Sequence, residues 1–454
     1  MSPKVTFLGG AGTVTGSKYL IEFDDQRVLV DCGLFQGYKQ LRLRNRKRLP
    51  IAPERIDAVV LTHAHIDHSG YVPALVAQGY RGPIHCTKTT KALCDILLRD
   101  AGYLQEREAR AANRGGYTKH HPALPLYTQA QAEFALTRFK SHRFQTSIEL
   151  TKDISVTFRE AGHILGAAIL ELQVGDQLLV FSGDLGRLHD PVMRAPEPIA
   201  NADFLFLEST YGDRKHPDIN PQDALADIIN RTVERDGSVI IPSFAVGRAQ
   251  SLLFHISELI SAGRIPDLPV YLDSPMAIKA TNLFTEHAEA HKLTLAQAKA
   301  VGLSATFTKT SKQSQELDKD RSPKIIISAS GMATGGRILY HLKAYVRDSR
   351  NTILFAGFQA GGTRGAAMLE GADKIKIHGE YHPVRAEVAN LHMLSAHADA
   401  DEIMTWLEGF EAPPKRTFII HGEPHAADTL RHRIEEEKKW SVLVAEHNET
   451  EILE

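Results

Sequence analysis

Cysteine is scarce in this 454-residue chain: Cys32, Cys86 and Cys94 are odd in number and form no C-x-x-C pair. That excludes a disulfide framework and a cysteine-built zinc site, and it fits a reducing compartment, so a cytoplasmic location is expected. Any metal has to be held by His, Asp or Glu. Long apolar runs are missing too, none approaching the roughly 20 residues of a membrane span, so no membrane partner is expected. The opening MSPKVTFLGGAGTVTGS lacks the apolar core and cleavage site of a secretory signal and is expected to be mature as written. An excess of charge is also absent: the formal net charge of −2 does not call for a polyanionic partner of the whole molecule, although a local patch can. The lack of internal repeats and low-complexity tracts excludes a solenoid.

What the chain does contain is strands and helices in two textures. Its length suggests two or three domains. Up to about residue 200, short β-type runs dominate (VTFLG, KYLIEF, RVLVD, DAVVLT, PIHC, ISVTF, AILELQ, QLLVF, FLFLE), with helical patterns around Tyr71 to Gln78 and Thr89 to Leu98. From about Tyr211, amphipathic helices such as DALADIINRTVERDG and RAQSLLFHISELISAG alternate with strands SVIIP, PVYLD, KIIIS and TILFAGF, which predicts parallel β-α units and a second domain. If His421 in TFIIHGE joins the early histidines, that domain is inserted within the first.

The segment Val59 to Gly70, VVLTHAHIDHSG, carries the strongest chemical signal. His63 and His65 are two apart on an extended segment, so their side chains share a side and can grip one ion. Asp67 and His68 follow as the chain turns toward a helix and can face a second. Three imidazoles and a carboxylate this close are costly to desolvate without a metal or hydrogen-bond partners. Further ligands are sought at other strand ends: His163 in FREAGHILGAAIL, Asp184 in QLLVFSGDLG and His421 in TFIIHGE. Singly, each is more often a turn residue than a ligand, and only the shared context of apolar strand ends argues otherwise. Asp31 in VLVDCG suits a carboxylate that orients a ligand imidazole.

THAHIDHSG, the AGHILGA loop and FSGD resemble the successive signatures of the metallo-β-lactamase superfamily, and LESTYG, PSFAVGRAQ, SASGM, SAHAD and HGE resemble those of its β-CASP nuclease branch. Within that branch the nearest likeness is to the nuclease subunit of the pre-mRNA cleavage and polyadenylation machinery and its shorter prokaryotic relatives. The resemblance spans nearly the whole chain in the family's order. It implies an α/β fold, a metallo-β-lactamase αββα sandwich with an inserted parallel-sheet β-CASP domain: core at 1–210 and 392–454, insert at 211–391. It further implies two Zn²⁺, with Mn²⁺ as an alternative occupant, the first held by His63, His65 and His163, the second by Asp67, His68 and His421, and both bridged by Asp184. A histidine at the position of His421 resembles the RNA-acting members of the branch. Missing N- and C-terminal additions seen in some relatives count against exonuclease action and tight sequence recognition.

The expected reaction is RNA phosphodiester hydrolysis by a hydroxide activated between the two zincs, with Asp67 in the catalytic set, endonucleolytic and leaving a 5′-phosphate and a 3′-hydroxyl. His397, oriented by Glu208, is the candidate donor of the leaving-group proton. Alone, each would pass for a turn or cap residue. The basic run YKQLRLRNRKR, with Arg42, Arg44, Arg46, Lys47 and Arg48, reads as a solvated loop or, given an RNA substrate, as a phosphate-contacting strip. Ser330 in SGMATGG is a candidate backbone contact. GGAGTVTG fits neither dinucleotide nor P-loop spacing, so no nucleotide cofactor is expected and a tight hairpin is. A 5′-3′ exoribonuclease, a DNA nuclease and a non-catalytic RNA-binding subunit are the rival readings, and a homodimer is left open.

Overall fold

Alternation along KVTFLG and KYLIEF sends Val5, Phe7, Tyr19 and Ile21 to one face, where they join a common apolar core. The computed structural model describes residues 2–116, 118 and 120–454. The chain forms two compact units, Met1–Lys215 with His397–Glu454, and His216–Ala396.

The first unit has two seven-stranded sheets. One runs Thr450–Ile452, Lys4–Gly9, Lys18–Phe23, Gln26–Val30, Ala58–Val60, Ile84–Thr87, Phe139–His142; the other Val442–Val444, Arg416–Ile420, Phe204–Glu208, Gln177–Phe181, Ala168–Val174, Ile154–Glu160, Ser147–Glu149. Their facing sides interleave Val28, Val30, Val156, Phe158, Leu170, Phe181, Phe206 and Phe418. Helix Lys88–Gly115 packs outside the first sheet and helix Pro424–Lys438 outside the second, completing the αββα order that the family resemblance implies. Because Gln26–Val30 runs parallel to Ala58–Val60 in one sheet, and Gln177–Phe181, Phe204–Glu208 and Arg416–Ile420 run parallel to one another in the other, their carboxyl ends collect along one edge. Asp31, Thr62 to His65, Asp184, Glu208 and His421 all sit at those ends.

The second unit carries the expected parallel sheet, six strands in the order Thr306–Phe307, Val270–Leu272, Ile325–Ser328, Val239–Pro242, Thr352–Phe355, Glu387–Asn390. Ile240, Ile326, Ile353 and Phe355 face helix Ile338–Tyr345 across its core.

Three local readings change. The basic run is not a plain loop: Lys39–Arg44 forms a short helix. GGAGTVTGS links two antiparallel strands, but by an eight-residue loop, 10–17, rather than a tight turn. The helix expected over Thr89 to Leu98 extends over Lys88–Gly115, capped by Thr87 Oγ1, which accepts from Thr90 N. Its second half, RDAGYLQEREARAANRG, is too charged for the periodicity of apolar residues to mark it, yet it packs against helix Gln129–Leu136. Gly102 permits that approach, since a Cβ there would lie 2.8 Å from Gln129 Cα.

Candidate metal centre

The edge loops are stapled to one another before any side chain is considered. Ser17 N donates to Asp67 O, Cys32 N to His68 O and Gly33 N to Ser17 O. Gly33 has to be glycine, because a Cβ would fall 1.6 Å from Asp67 O. Asp31 and His421 adopt φ of 56° and 47°, left-handed conformations that turn their side chains off the strands.

Asp184 is buried at the middle of the cluster. Its Oδ2 lies 3.4 Å from His63 Nε2 and 3.5 Å from His163 Nε2. Its Oδ1 lies 3.2 Å from His68 Nε2 and 3.5 Å from His421 Nε2. His65 Nδ1 is 3.1 Å from both His63 Nε2 and His163 Nε2, and Asp67 Oδ2 is 4.0 Å from His421 Nε2. Two donor groups result: His63, His65, His163 and Asp184; and Asp67, His68 and His421, with Asp184's other oxygen beside them. A tetrahedron with bonds of 2.0–2.1 Å has edges of roughly 3.3 Å. The separations of 3.1 to 3.5 Å have that size, that from Asp67 to His421 being wider at 4.0 Å, and neither His68 Nε2 nor Asp184 Oδ1 makes a hydrogen bond despite their closeness. The atoms point at shared positions rather than at each other, so the residues fit a metal pair.

The outer bonds settle which ring nitrogen faces inward. His68 Nδ1 is 2.7 Å from Asp31 Oδ2, an acceptor, so that nitrogen donates and Nε2 keeps its lone pair for an ion. Thr62 Oγ1 donates its one hydrogen to Asp31 at 2.9 Å and accepts from His63 Nδ1 at 3.1 Å, leaving His63 Nε2 as the inward lone pair. Ser17 Oγ holds His421 Nδ1 at 2.9 Å. Sequence reasoning found Asp31 but not Thr62 or Ser17. Thr62 carries a signal in its place directly before the His motif; Ser17, 404 positions from His421, carries none.

Electrostatics favours a cation here. Burial, with the adjacent His68, pushes His63 well below its ordinary pKa, and burial pushes His65 down to about 4. Burial alone would raise Asp184, yet His421, His68 and His63 hold it well below the carboxylate range. Burial opposes protonation of His68, but Asp184 and Asp31 push its pKa well up. Positive charge is thus demanded at His68 Nε2, and an ion meets that demand as a proton does.

Beside this cluster stands a second arrangement. Glu208 is fully buried; its Oε1 accepts from Leu185 N at 2.7 Å and its Oε2 from Thr210 N at 3.2 Å, which fixes the carboxylate. Oε1 also lies 3.1 Å from His397 Nδ1. The His397 ring is 4.4 Å from that of His163, centroid to centroid. Burial works against a proton on His397, but Glu208 outweighs it and raises the pKa.

The remaining sequence candidates are not gathered here. Arg46 bonds the carbonyls of Leu124 and Pro125, Arg42 is exposed, and Arg44, Lys47 and Arg48 line a cavity on the outer side of the first sheet. Ser330 belongs to the second unit, where its Oγ accepts from Thr334 N.

Family models match three stretches of the chain: metallo-beta-lactamase superfamily over residues 11–223, Beta-Casp domain over 249–368, and Zn-dependent metallo-hydrolase RNA specificity domain over 381–445. The chain is 36% identical to Ribonuclease TTHA0252 of Thermus thermophilus over 92% of its own length and 93% of that protein's. It is 32% identical to Transcription termination factor FttA of Methanosarcina mazei, over 94% and 68%. A protein of unknown function from Enterococcus faecalis shares the fold, with a TM-score of 0.56 at 17% identity and full coverage of both chains. The chain belongs to the metallo-β-lactamase superfamily and, within it, to the β-CASP RNA-nuclease family. The resemblance read from the motifs is therefore correct.

Proposed function

We propose that the protein is a zinc-dependent ribonuclease that hydrolyses RNA phosphodiester bonds, and that residues 211–391 form the β-CASP domain inserted in a core of 1–210 and 392–454. The observation that carries this reading is Asp184, whose two carboxylate oxygens each face a different pair of imidazoles. His63, His65 and His163 would hold one ion and Asp67, His68 and His421 the other, Zn²⁺ being the natural guest of such a set and Mn²⁺ an alternative. Bound there, the ions supply Lewis-acid activation of water and neutralise charge on the phosphoryl oxygens.

The chain's own residues do the rest. Asp31, Thr62 and Ser17 fix three imidazoles in the orientation that keeps their inward lone pairs available. Glu208 holds His397 through Nδ1, leaving Nε2 to deliver a proton to the leaving oxygen. The 36% identity to a ribonuclease supports RNA as the substrate, and the basic run Arg42 to Arg48 and Ser330 are proposed contacts to its phosphates. Cleavage is proposed to be endonucleolytic, leaving a 5′-phosphate and a 3′-hydroxyl.

Metal-replete protein should cut a circular RNA and lose that activity with chelator, while a matched DNA circle stays intact. Two zincs per chain by elemental analysis should accompany activity. Cutting only from a free end would make it an exonuclease, and RNA binding without cutting at full metal content would make it a binding subunit.

A further inference from the structure

The outer face of the first sheet, opposite the apolar core, bears Thr6 and Leu8 from one strand and Lys18, Leu20 and Glu22 from the next. The chain from Phe35 to Arg55 arches over this face and leaves a cavity of about 720 Å³, closed on one side by His447 and Asn448. That volume is within the range of about 300 to 1,000 Å³ typical of small-molecule sites. Its apolar wall is Leu8, Leu20 and the run Leu49 to Ala52.

The charge of the lining is one-sided. Lys18, Arg44, Lys47, Arg48 and Arg55 contribute cations, and none of them forms an ion pair among the described residues. The lone lining carboxylate, Glu22, is taken by Arg27 at 3.2 Å. Burial lowers the pKa of Lys18 to about 8, so it still carries its charge at neutral pH. Lys18 is the clearest sign of a built site. It is 2% exposed, its ammonium lies 4.8 Å from the ring centroids of both Phe35 and Tyr71, and it donates to the carbonyls of Gly16 and Gly33. An ammonium has three N–H donors, so one has no acceptor among the described residues. Arg44 is stacked 5.4 Å from the Phe35 ring, which sets its guanidinium in place before any ligand arrives. His447 reports the field: burial and the nearby Arg44, Lys18 and Lys47 push its pKa down to about 4.

We infer that this cavity is a second binding site, separate from the metal centre, for a compact ligand carrying more than one phosphate group. Guanidinium forks match phosphate oxygens, an ammonium on the floor suits a second phosphate, and the apolar wall takes a base or a sugar edge. Two sources offer that chemistry, a free small molecule or the backbone of the RNA strand. The cavity is half open, so both can reach it; Arg44, Lys47 and Arg48 serve the strand in the one case and the free molecule in the other. The site stands whether or not the protein cuts RNA, because no metal-centre residue lines it.

The test is the amine footprint of the metal-replete protein, read as acetylation of Lys47 by peptide mass spectrometry. Lys152, exposed and outside the cavity, serves as internal reference. One arm adds adenosine 3′,5′-bisphosphate, and a second adds a long unstructured RNA with a 5′-hydroxyl end. Saturable protection of Lys47 but not Lys152 by the bisphosphate is expected. Joint Arg48→Glu and Arg55→Glu substitution should weaken that protection about tenfold or more, and Arg48→Lys with Arg55→Lys should restore only part of it, because an ammonium keeps the charge but not the fork. Protection by the RNA alone assigns the phosphates to the strand. Failure of both ligands to protect Lys47, or protection that survives the charge reversal, overturns the site. Cleavage of the circular RNA, scored in parallel, reports on the nuclease reading independently.

Discussion

Each unit of the molecule buries histidine among carboxylates, and the two clusters are built in opposite ways. In the second unit, His341 Nδ1 is 2.7 Å from Asp318 Oδ1 and its Nε2 is 2.8 Å from Asp273 Oδ2, while Arg337 pairs with Asp273's other oxygen. Each ring nitrogen has an acceptor of its own. Burial works against charge on His341, but Asp273 and Asp318 prevail and lift its pKa to about 9. In the first unit, one carboxylate faces four imidazoles, and its contacts of 3.2 to 3.5 Å lack hydrogen-bond alignment on Oδ1. Burial drives His63 and His65 toward the neutral form that ligates metal. A cluster with one acceptor per nitrogen is complete in itself. One whose lone pairs converge on shared positions is built around an ion.

Substitutions can break this contrast. The largest effect is expected at Asp184: Asp184→Ala removes the group common to both positions, so elemental analysis should show metal lost and RNA cleavage should fall below detection. If His341→Gln cost as much metal, the distinction between the clusters would fail. Next is His397→Ala, which should keep both ions while turnover drops roughly 10²- to 10⁴-fold, the usual span for a general acid. Loss of an ion would make His397 a ligand instead. Asp31→Ala should be milder, about 10- to 100-fold in metal affinity or rate, because it acts through His68 and Thr62. Titration with a competing chelator would show it.

The smallest effect on activity belongs to His341→Gln, which should leave metal content alone and destabilise the second unit by about 3 kcal/mol at neutral pH or below. Its sign with pH is fixed. A folded pKa of about 9 above an ordinary 6.5 means the contribution is complete below pH 6.5 and is lost as pH rises through 9. Urea unfolding of wild type and variant should therefore converge between those values. A gap that stays constant across that range would show that His341 is not charged.

Much of this was legible without coordinates. Apolar strands ending in His or Asp marked the edge where chemistry collects, because a strand end is where a side chain can leave the sheet without costing a ladder bond. The two textures of the chain pointed to the two units for a similar local reason, since periodicity is written residue by residue. The helix at Lys39–Arg44 was hidden because its six residues, KQLRLR, bury none of their side chains and leave no apolar stripe to detect.

The sequence by itself determined the donor types, their order and the layered α/β frame, all carried by short-range pattern. How the donors divide was implied by the family resemblance and not by spacing, and tertiary structure supplied the contacts that no motif names. It set Asp184 between two imidazole pairs, aimed Ser17 at His421 and folded the basic run over Lys18. These are meetings of residues tens to hundreds of positions apart, fixed by parallel strands that bring their carboxyl ends to one edge, and local sequence holds no record of them.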